Sequence, residues 1–292
     1  MTADVDIERR FGGVARLYGA NGLKKLQAAH VAVVGIGGVG SWAAEALARN
    51  AVGSITLIDL DNIAESNVNR QIHALEGAFG KAKVSAMRER ILAINPLCEV
   101  HEIEDFITPD NITKLLNFNC DSIIDCVDDA KAKIAMAAFC KAKQIPLIMS
   151  GSAGGRLDAT SIKTADLSLV TGDKLLAKVR NQLRRDHQFP KAQSSNSKHS
   201  KKSAKFGVNC VYSDEPVLQP NAICEVEKMH DINSDAPEAN IHKASSHAKN
   251  PRVISHAITG LNCAGYGSSV SVTATFGFVA AQLAIQTITI TH

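Results

Sequence analysis

A short apolar strand that breaks into glycines and restarts at once as a helix constrains this chain more than any other feature. The run is His30-Val-Ala-Val-Val-Gly35-Ile-Gly37-Gly38-Val-Gly40-Ser41, followed by Trp42-Ala-Ala-Glu-Ala-Leu. Gly35 permits the tight turn, Gly37 and Gly38 leave the backbone open to a ligand phosphate, and Gly40 lets the new helix pack close to the strand. The free N–H groups of the helix's first turn then face an anion. Such a loop predicts a nucleotide site without naming the nucleotide.

The pattern downstream predicts a doubly wound sheet. Val31–Val34 reads as the first strand and 41–50 as its helix; 54–59 is the second strand, ending on Asp59. A helix over 81–94 stops before Pro96, because proline restricts the residue ahead of it. Strands at 99–103, 121–126 and 146–150 alternate with helices at 109–116 and 130–143. A helix over 5–29 precedes them all, with Leu17, Leu23 and Leu26 as its core contacts. Short links between alternating elements give an α/β fold: a mainly parallel, Rossmann-like sheet covered by helices on both faces.

The chain changes character near residue 190, which divides it into a nucleotide-binding domain over 1–190 and a smaller C-terminal extension over 191–292. Residues 178–205 hold nine basic side chains against one acid, Asp186. Within them 193–205 (QSSNSKHSKKSAK) is polar enough to be a mobile loop. A second polar loop is expected over 227–252. From Val253 to Thr291 there is no Lys, Arg, Asp or Glu. Its stretch Val270–Ile290 is long enough for a membrane span, yet it is dotted with Ser, Thr and Gln, so packing on the core is the expectation and membrane contact or a dimer face the minor ones.

Net charge is only +3, so any nucleic-acid surface must arise from local clustering. The seven cysteines stand singly with no CxxC pair, which predicts neither a zinc site nor a disulfide framework. An N-terminus as polar as Met1-Thr-Ala-Asp-Val-Asp is unlike a signal peptide, and a reducing cytoplasm is the expected setting.

The residues after the glycine loop narrow the chemistry. Asp59 lies nineteen residues after Gly40, where an acid meets ribose hydroxyls in nucleotide-binding units. Next come Asp61, Asn67, Asn69, Arg70, Gln71 and His73, then Lys83 on the following helix. Arg70 can grip phosphate oxygens in a bidentate fork, and Lys83 is a movable point charge. Hydride transfer gains nothing from such a polyphosphate clamp, which disfavours a nicotinamide oxidoreductase. Attack on an α-phosphate does gain, because charge must be neutralised on the transferring and leaving groups. After the fourth strand, Asp125-Cys-Val-Asp128-Asp129 offers oxygen ligands for Mg2+. His73 could orient a substrate or make a structural hydrogen bond.

Together Gly35-x-Gly-Gly-x-Gly40, Asp59-x-Asp61, Asn67-x-Asn69-Arg70-Gln71, Lys83 and Asp128 resemble the ubiquitin-activating-type (HesA/MoeB/ThiF) adenylating enzymes. That resemblance implies ATP and Mg2+ as cofactors, Asp59 on the ribose, and Arg70, Gln71 and Lys83 on the triphosphate. It puts Asp128 on the metal, and an N-terminal arginine (Arg10, with Arg16 second) reaching across a homodimer to the partner's ATP. Other phrases are similar to the branch that dehydrates threonylcarbamoyladenosine at position 37 of tRNA. They include Arg10-Phe-Gly-Gly-Val-Ala-Arg16, Ser150-Gly-Ser-Ala-Gly-Gly155 and Val208-Asn-Cys210-Val-Tyr-Ser. Membership of that branch implies cyclisation through an acyl adenylate, with modified tRNA as the substrate and the basic run as its phosphate track. It also admits a persulfide-bearing partner of the cysteine-desulfurase type, although Cys210 and Cys263 sit in settings typical of small core residues. The alternative is an activator of a ubiquitin-like sulfur carrier, which usually needs zinc cysteines or an acceptor thiol.

Overall fold

The computed structural model describes residues 5–191, 204–218 and 266–290. Its elements in chain order are α1 (Ile7–Ala28), β1 (His30–Val34), α2 (Gly40–Arg49), β2 (Ser54–Ile58), α3 (Lys83–Ile94) and β3 (Glu99–Ile103). After them come α4 (Ile112–Leu115), β4 (Ser122–Asp125), α5 (Ala130–Lys143), β5 (Leu147–Ser150), β6 (Ile162–Asp166), α6 (Lys174–Asp186), β7 (Val208–Ser213) and α7 (Val270–Ile290). One seven-stranded sheet runs β3-β2-β1-β4-β5-β7-β6. Every neighbouring pair is parallel except β7 with β6.

Strand periodicity divides the core into two layers. Successive side chains of a strand point to opposite faces, so Val31 and Val33 pack with Leu26, Leu47, Ile91 and Phe276 of α1, α2, α3 and α7. Ala32 and Val34 pack with Ile112, Met136, Leu176 and Leu183 of α4, α5 and α6 on the other face. Covering both faces explains why β1, β2 and β4 read as continuous apolar runs. Each fully buried Leu, Ile or Phe in these layers contributes about 1.5–3 kcal/mol.

Three expectations change. Leu17 is 75% exposed, because Gly19 takes a positive φ of 77° and breaks α1 into two segments; Leu26 alone of the three leucines is buried. The helix expected over 109–116 shrinks to the single turn α4. Residue 190 separates α6 from β7, yet β7 lies between β5 and β6 in the same sheet, so the sheet spans the expected division. The loop expected over 193–205 is described only at 204–205, and the one over 227–252 lies outside the described residues.

Helix α7 packs along α2. Gly277 makes that approach possible, since a Cβ there would meet the Val39 carbonyl oxygen at 2.4 Å and the Trp42 Cβ at 2.8 Å. Phe278 sets its ring edge-on to Trp42, centroids 5.7 Å apart. The helix is long and apolar enough to cross a membrane by length and composition, but here Val272, Phe276, Ala280, Ala284 and Ile285 are buried in the fold.

Candidate nucleotide and substrate site

In this strand order the chain's direction of winding reverses between β1 and β4. Crevices at such reversals, beyond the carboxyl ends of parallel strands, are where open α/β sheets bind ligands. The glycine loop leaves β1 there and residues 126–129 leave β4 beside it. Gly35 has φ +85°, and a Cβ on it would stand 3.0 Å from the Cys126 backbone. At Gly40 an added Cβ would lie 1.8 Å from the Gly35 carbonyl oxygen, so the loop folds back on itself only because both residues are glycine. Gly37 is open, the nearest side-chain atom to its notional Cβ being Gln71 Nε2 at 3.9 Å. Gly38 lies under Arg70, whose Cγ would be 3.2 Å from an added Cβ.

Asp59 is buried one residue past β2 and organises the crevice floor. Its Oδ2 accepts from the Ile36 N–H at 2.6 Å and its Oδ1 from the Asp61 N–H at 2.9 Å. Burial raises its carboxyl above the ordinary value, while Lys83 and the two N–H donors oppose that rise. Lys83, the first residue of α3, is aimed back at the loop: its Nζ is 2.6 Å from Asp61 Oδ2 and 3.8 Å from Asp59 Oδ1. Asp61 is 55% exposed. The buried Lys83 ammonium therefore faces one exposed and one buried carboxylate.

The segment between β2 and α3 carries the remaining predicted residues. Trp42 Nε1 donates to the Arg70 carbonyl at 2.9 Å, fixing Arg70 to the first turn of α2. The Arg70 guanidinium donates to the Ser66 carbonyl at 2.7 Å and to Asn69 Oδ1 at 3.0 Å. Asn67 serves its own turn, its Oδ1 accepting from the Ala64 N–H at 3.0 Å. Gln71 is buried, and its Oε1 lacks a partner among the described residues, as does Ser41 Oγ at the start of α2. Orphaned polar atoms around an open glycine loop fit a polar ligand, since buried polar groups are otherwise satisfied.

The acids after β4 separate into different roles. Asp125 is fully buried and paired with Lys133 at 3.0 Å. Asp129 caps α5, accepting from the Ala132 N–H at 2.8 Å. Asp128 between them is exposed at the carboxyl edge of the sheet. The Arg10 guanidinium donates to the Ile94 carbonyl at the end of α3, 3.0 Å away.

Beyond β5 the wall of the crevice is stitched by residues that carried no sequence signal. Arg156 is buried; its Nε donates to the Ser152 carbonyl at 2.8 Å, its Nη1 to the Glu215 carbonyl, and its Nη2 is 3.6 Å from Asp173. Asp173 also accepts from the Ser152 N–H and caps α6. The Gly155 N–H donates to the Gly267 carbonyl at 2.8 Å, and Asn69 Nδ2 to the Ser268 carbonyl at 2.9 Å. These bonds join the residues ahead of α7 to both the clamp and the far wall.

No described cysteine offers a thiolate. Burial pushes Cys98, Cys126 and Cys140 up to about 12 and Cys120 to about 11. Cys210, in the middle of β7, is raised further for the same reason. Cys263 lies outside the described residues. Two depressions of about 320 and 390 Å3 lie away from the crevice, one lined by Asn209, Leu283 and Ile290, the other by Lys25, Asp121 and Pro146. No clamp residue touches either.

The sequence matches the ThiF family over residues 12–291. It is 42% identical over 279 residues to tRNA threonylcarbamoyladenosine dehydratase of Escherichia coli, covering 95% of this chain and 92% of that protein. The protein of the same name from Bacillus subtilis is 38% identical over 226 residues, covering 77% and 80%. The crystal structure of the E. coli dehydratase in complex with ATP superimposes with a TM-score of 0.76 at 38% identity, covering 99% of this chain and 97% of that one.

Proposed function

The chain belongs to the ThiF family, and from that premise we propose that it is an ATP-dependent tRNA threonylcarbamoyladenosine dehydratase. The carrying observation is the gathering of Asp59, Arg70, Gln71 and Lys83 around an open glycine loop at the reversal point of the sheet. Relatives that share nearly the whole chain bear that name, and one of them has been crystallised with ATP.

The reaction follows from the charges. The threonine carboxylate of the modified adenosine attacks the α-phosphorus of ATP, a P–O bond to the leaving group breaks, and pyrophosphate departs. A nitrogen or oxygen of the same modification then attacks the acyl carbon and expels AMP, so the net change is loss of water as a ring closes. Asp59 holds the ribose hydroxyls. Arg70 and Lys83 neutralise charge that builds on the transferring and leaving phosphates, with their largest effect in the transition state. No protein nucleophile is required, in keeping with the raised thiols.

A magnesium ion would add further neutralisation of the phosphates. Among the described residues no group of three His, Cys, Asp or Glu could hold a metal by itself. Mg2+ typically takes one or two carboxylates and completes its shell with phosphate oxygens and water, which Asp128 fits. Arg10 would reach the second site of a homodimer. Lys178 on α6 and the lysines of 191–205 would track tRNA phosphates, in a cytoplasmic protein.

The test is isotope exchange: labelled pyrophosphate should enter ATP only when tRNA carrying the threonylcarbamoyl group is present. Exchange triggered by a small ubiquitin-like protein would replace this reading with a carrier activator. Changing Lys198, Lys201, Lys202 and Lys205 to Ala should weaken tRNA binding and flatten its dependence on salt while ATP affinity stays constant. An unchanged salt slope would remove the phosphate track.

A further inference from the structure

His73 takes no part in the chemistry above, yet it is buried to 3% exposure directly behind the glycine loop. Its Nε2 lies 3.1 Å from the Ile36 carbonyl oxygen. A carbonyl only accepts, so Nε2 carries the hydrogen. Nδ1 has no partner among the described residues. Burial, with Lys83 and Arg90 nearby, lowers the ring's pKa to about 4 and keeps it neutral. An imidazole held by one nitrogen while the other goes unsatisfied is a poor way to fill a core.

The peptide that it holds is the one the loop most needs fixed. Ile36 is gripped at both ends: its N–H donates to Asp59 and its C=O accepts from His73. A planar trans peptide places the Ile36 carbonyl and the Gly37 N–H on opposite sides. Gly37 has no Cβ, and one built there would meet only Gln71 Nε2 at 3.9 Å, so no side chain at position 37 limits that peptide's orientation. We propose that His73 is a positioning residue for nucleotide binding, holding the Ile36 carbonyl so that the Gly37 N–H faces the phosphates. This role rests on the nucleotide reading above. It also gives the segment from Asn67 to His73 two tasks, one performed by side chains on the phosphates and one through the loop's backbone.

Two variants of the full chain test it by calorimetry with ATP and with adenosine. His73→Leu keeps the volume and removes the donor, and should weaken ATP about tenfold while adenosine changes by less than about twofold. His73→Gln can return an N–H to the position of Nε2 and should recover most of that loss. In turnover the Leu variant should raise KM for ATP, leaving kcat and KM for modified tRNA near wild type. A folded Leu variant that binds ATP as wild type does would overturn the role, and so would equal losses for ATP and adenosine. Should the Leu variant fail to fold, nitrogen-15 NMR of the wild-type ring decides: a hydrogen on Nδ1 in place of Nε2 rules the role out. Wild-type protein that binds no ATP would instead remove the nucleotide reading and this role with it.

Discussion

Lys83 with Asp61 and Lys133 with Asp125 are both lysine–aspartate pairs at the carboxyl edge of one sheet, yet their surroundings differ. Lys83 meets a carboxylate that is half in water. Lys133 and Asp125 are both 0% exposed. Burial raises the Asp125 carboxyl, while Lys133 and the Val127 N–H oppose the rise. That second pair has no exit. Asp125 Oδ1 also accepts from the Val127 N–H at 3.1 Å, so it braces the turn that presents Asp128. Residue type and placement on the sheet are shared; access of the carboxylate to water separates the two pairs.

The comparison breaks most readily at Lys133. Lys133→Met strands a buried carboxylate and should cost about 3–5 kcal/mol in a urea titration. Adding Asp125→Asn should restore much of it, and a single-variant loss below about 1 kcal/mol would return the pair to the surface class. At Lys83 the effects should invert. Lys83→Ala should cut pyrophosphate exchange at least about 100-fold, with a smaller loss of stability than in Lys133→Met, because its nearer partner Asp61 is exposed. Asp128→Ala sharpens the contrast further, since loss of exchange should come with a melting temperature close to wild type. Near-normal exchange in either variant would dismantle the proposed site.

A smaller effect comes from His73. The unfolded chain takes up a proton as pH falls through 6.5, while the folded ring resists until about 4. The unfolded state therefore binds more protons in that window, and stability present above pH 6.5 is lost as pH falls toward 4. The slope can reach about 1.4 kcal/mol per pH unit. Urea midpoints at pH 7, 6 and 5 should converge between wild type and His73→Gln at the acid end. Parallel pH curves would show that the ring is not held neutral.

In most of the sheet legibility followed burial, although the largely exposed β3 was legible as well. Strands β1, β2, β4 and β5 are covered on both faces and read as apolar runs, and their helices carry plain stop signals such as Pro96. Strand β6 (Ile-Lys-Thr-Ala-Asp) is an edge with exposed lysine and threonine, so no apolar pattern marks it. Strand β7 follows a basic stretch that composition assigns to a separate part, although its partners in the sheet lie on both sides of it. The glycines, Asp59, Arg70 and Lys83 were legible because each type matches phosphate or ribose chemistry in order along the chain. Arg156, Asp173 and Lys133 were not, since a lone charge in sequence looks like surface until packing buries it. His73 was visible as a residue but its task was not, because a hydrogen bond to Ile36 has no spacing rule.

Helix α7 adds a constraint of chain length. Trp42 both holds the Arg70 carbonyl and rests against Gly277 and Phe278, so the Trp42–Arg70 contact is backed by residues more than 200 positions after the glycine loop. Chains that stop before α7 would carry Trp42 and Arg70 and still lack the helix that packs behind them.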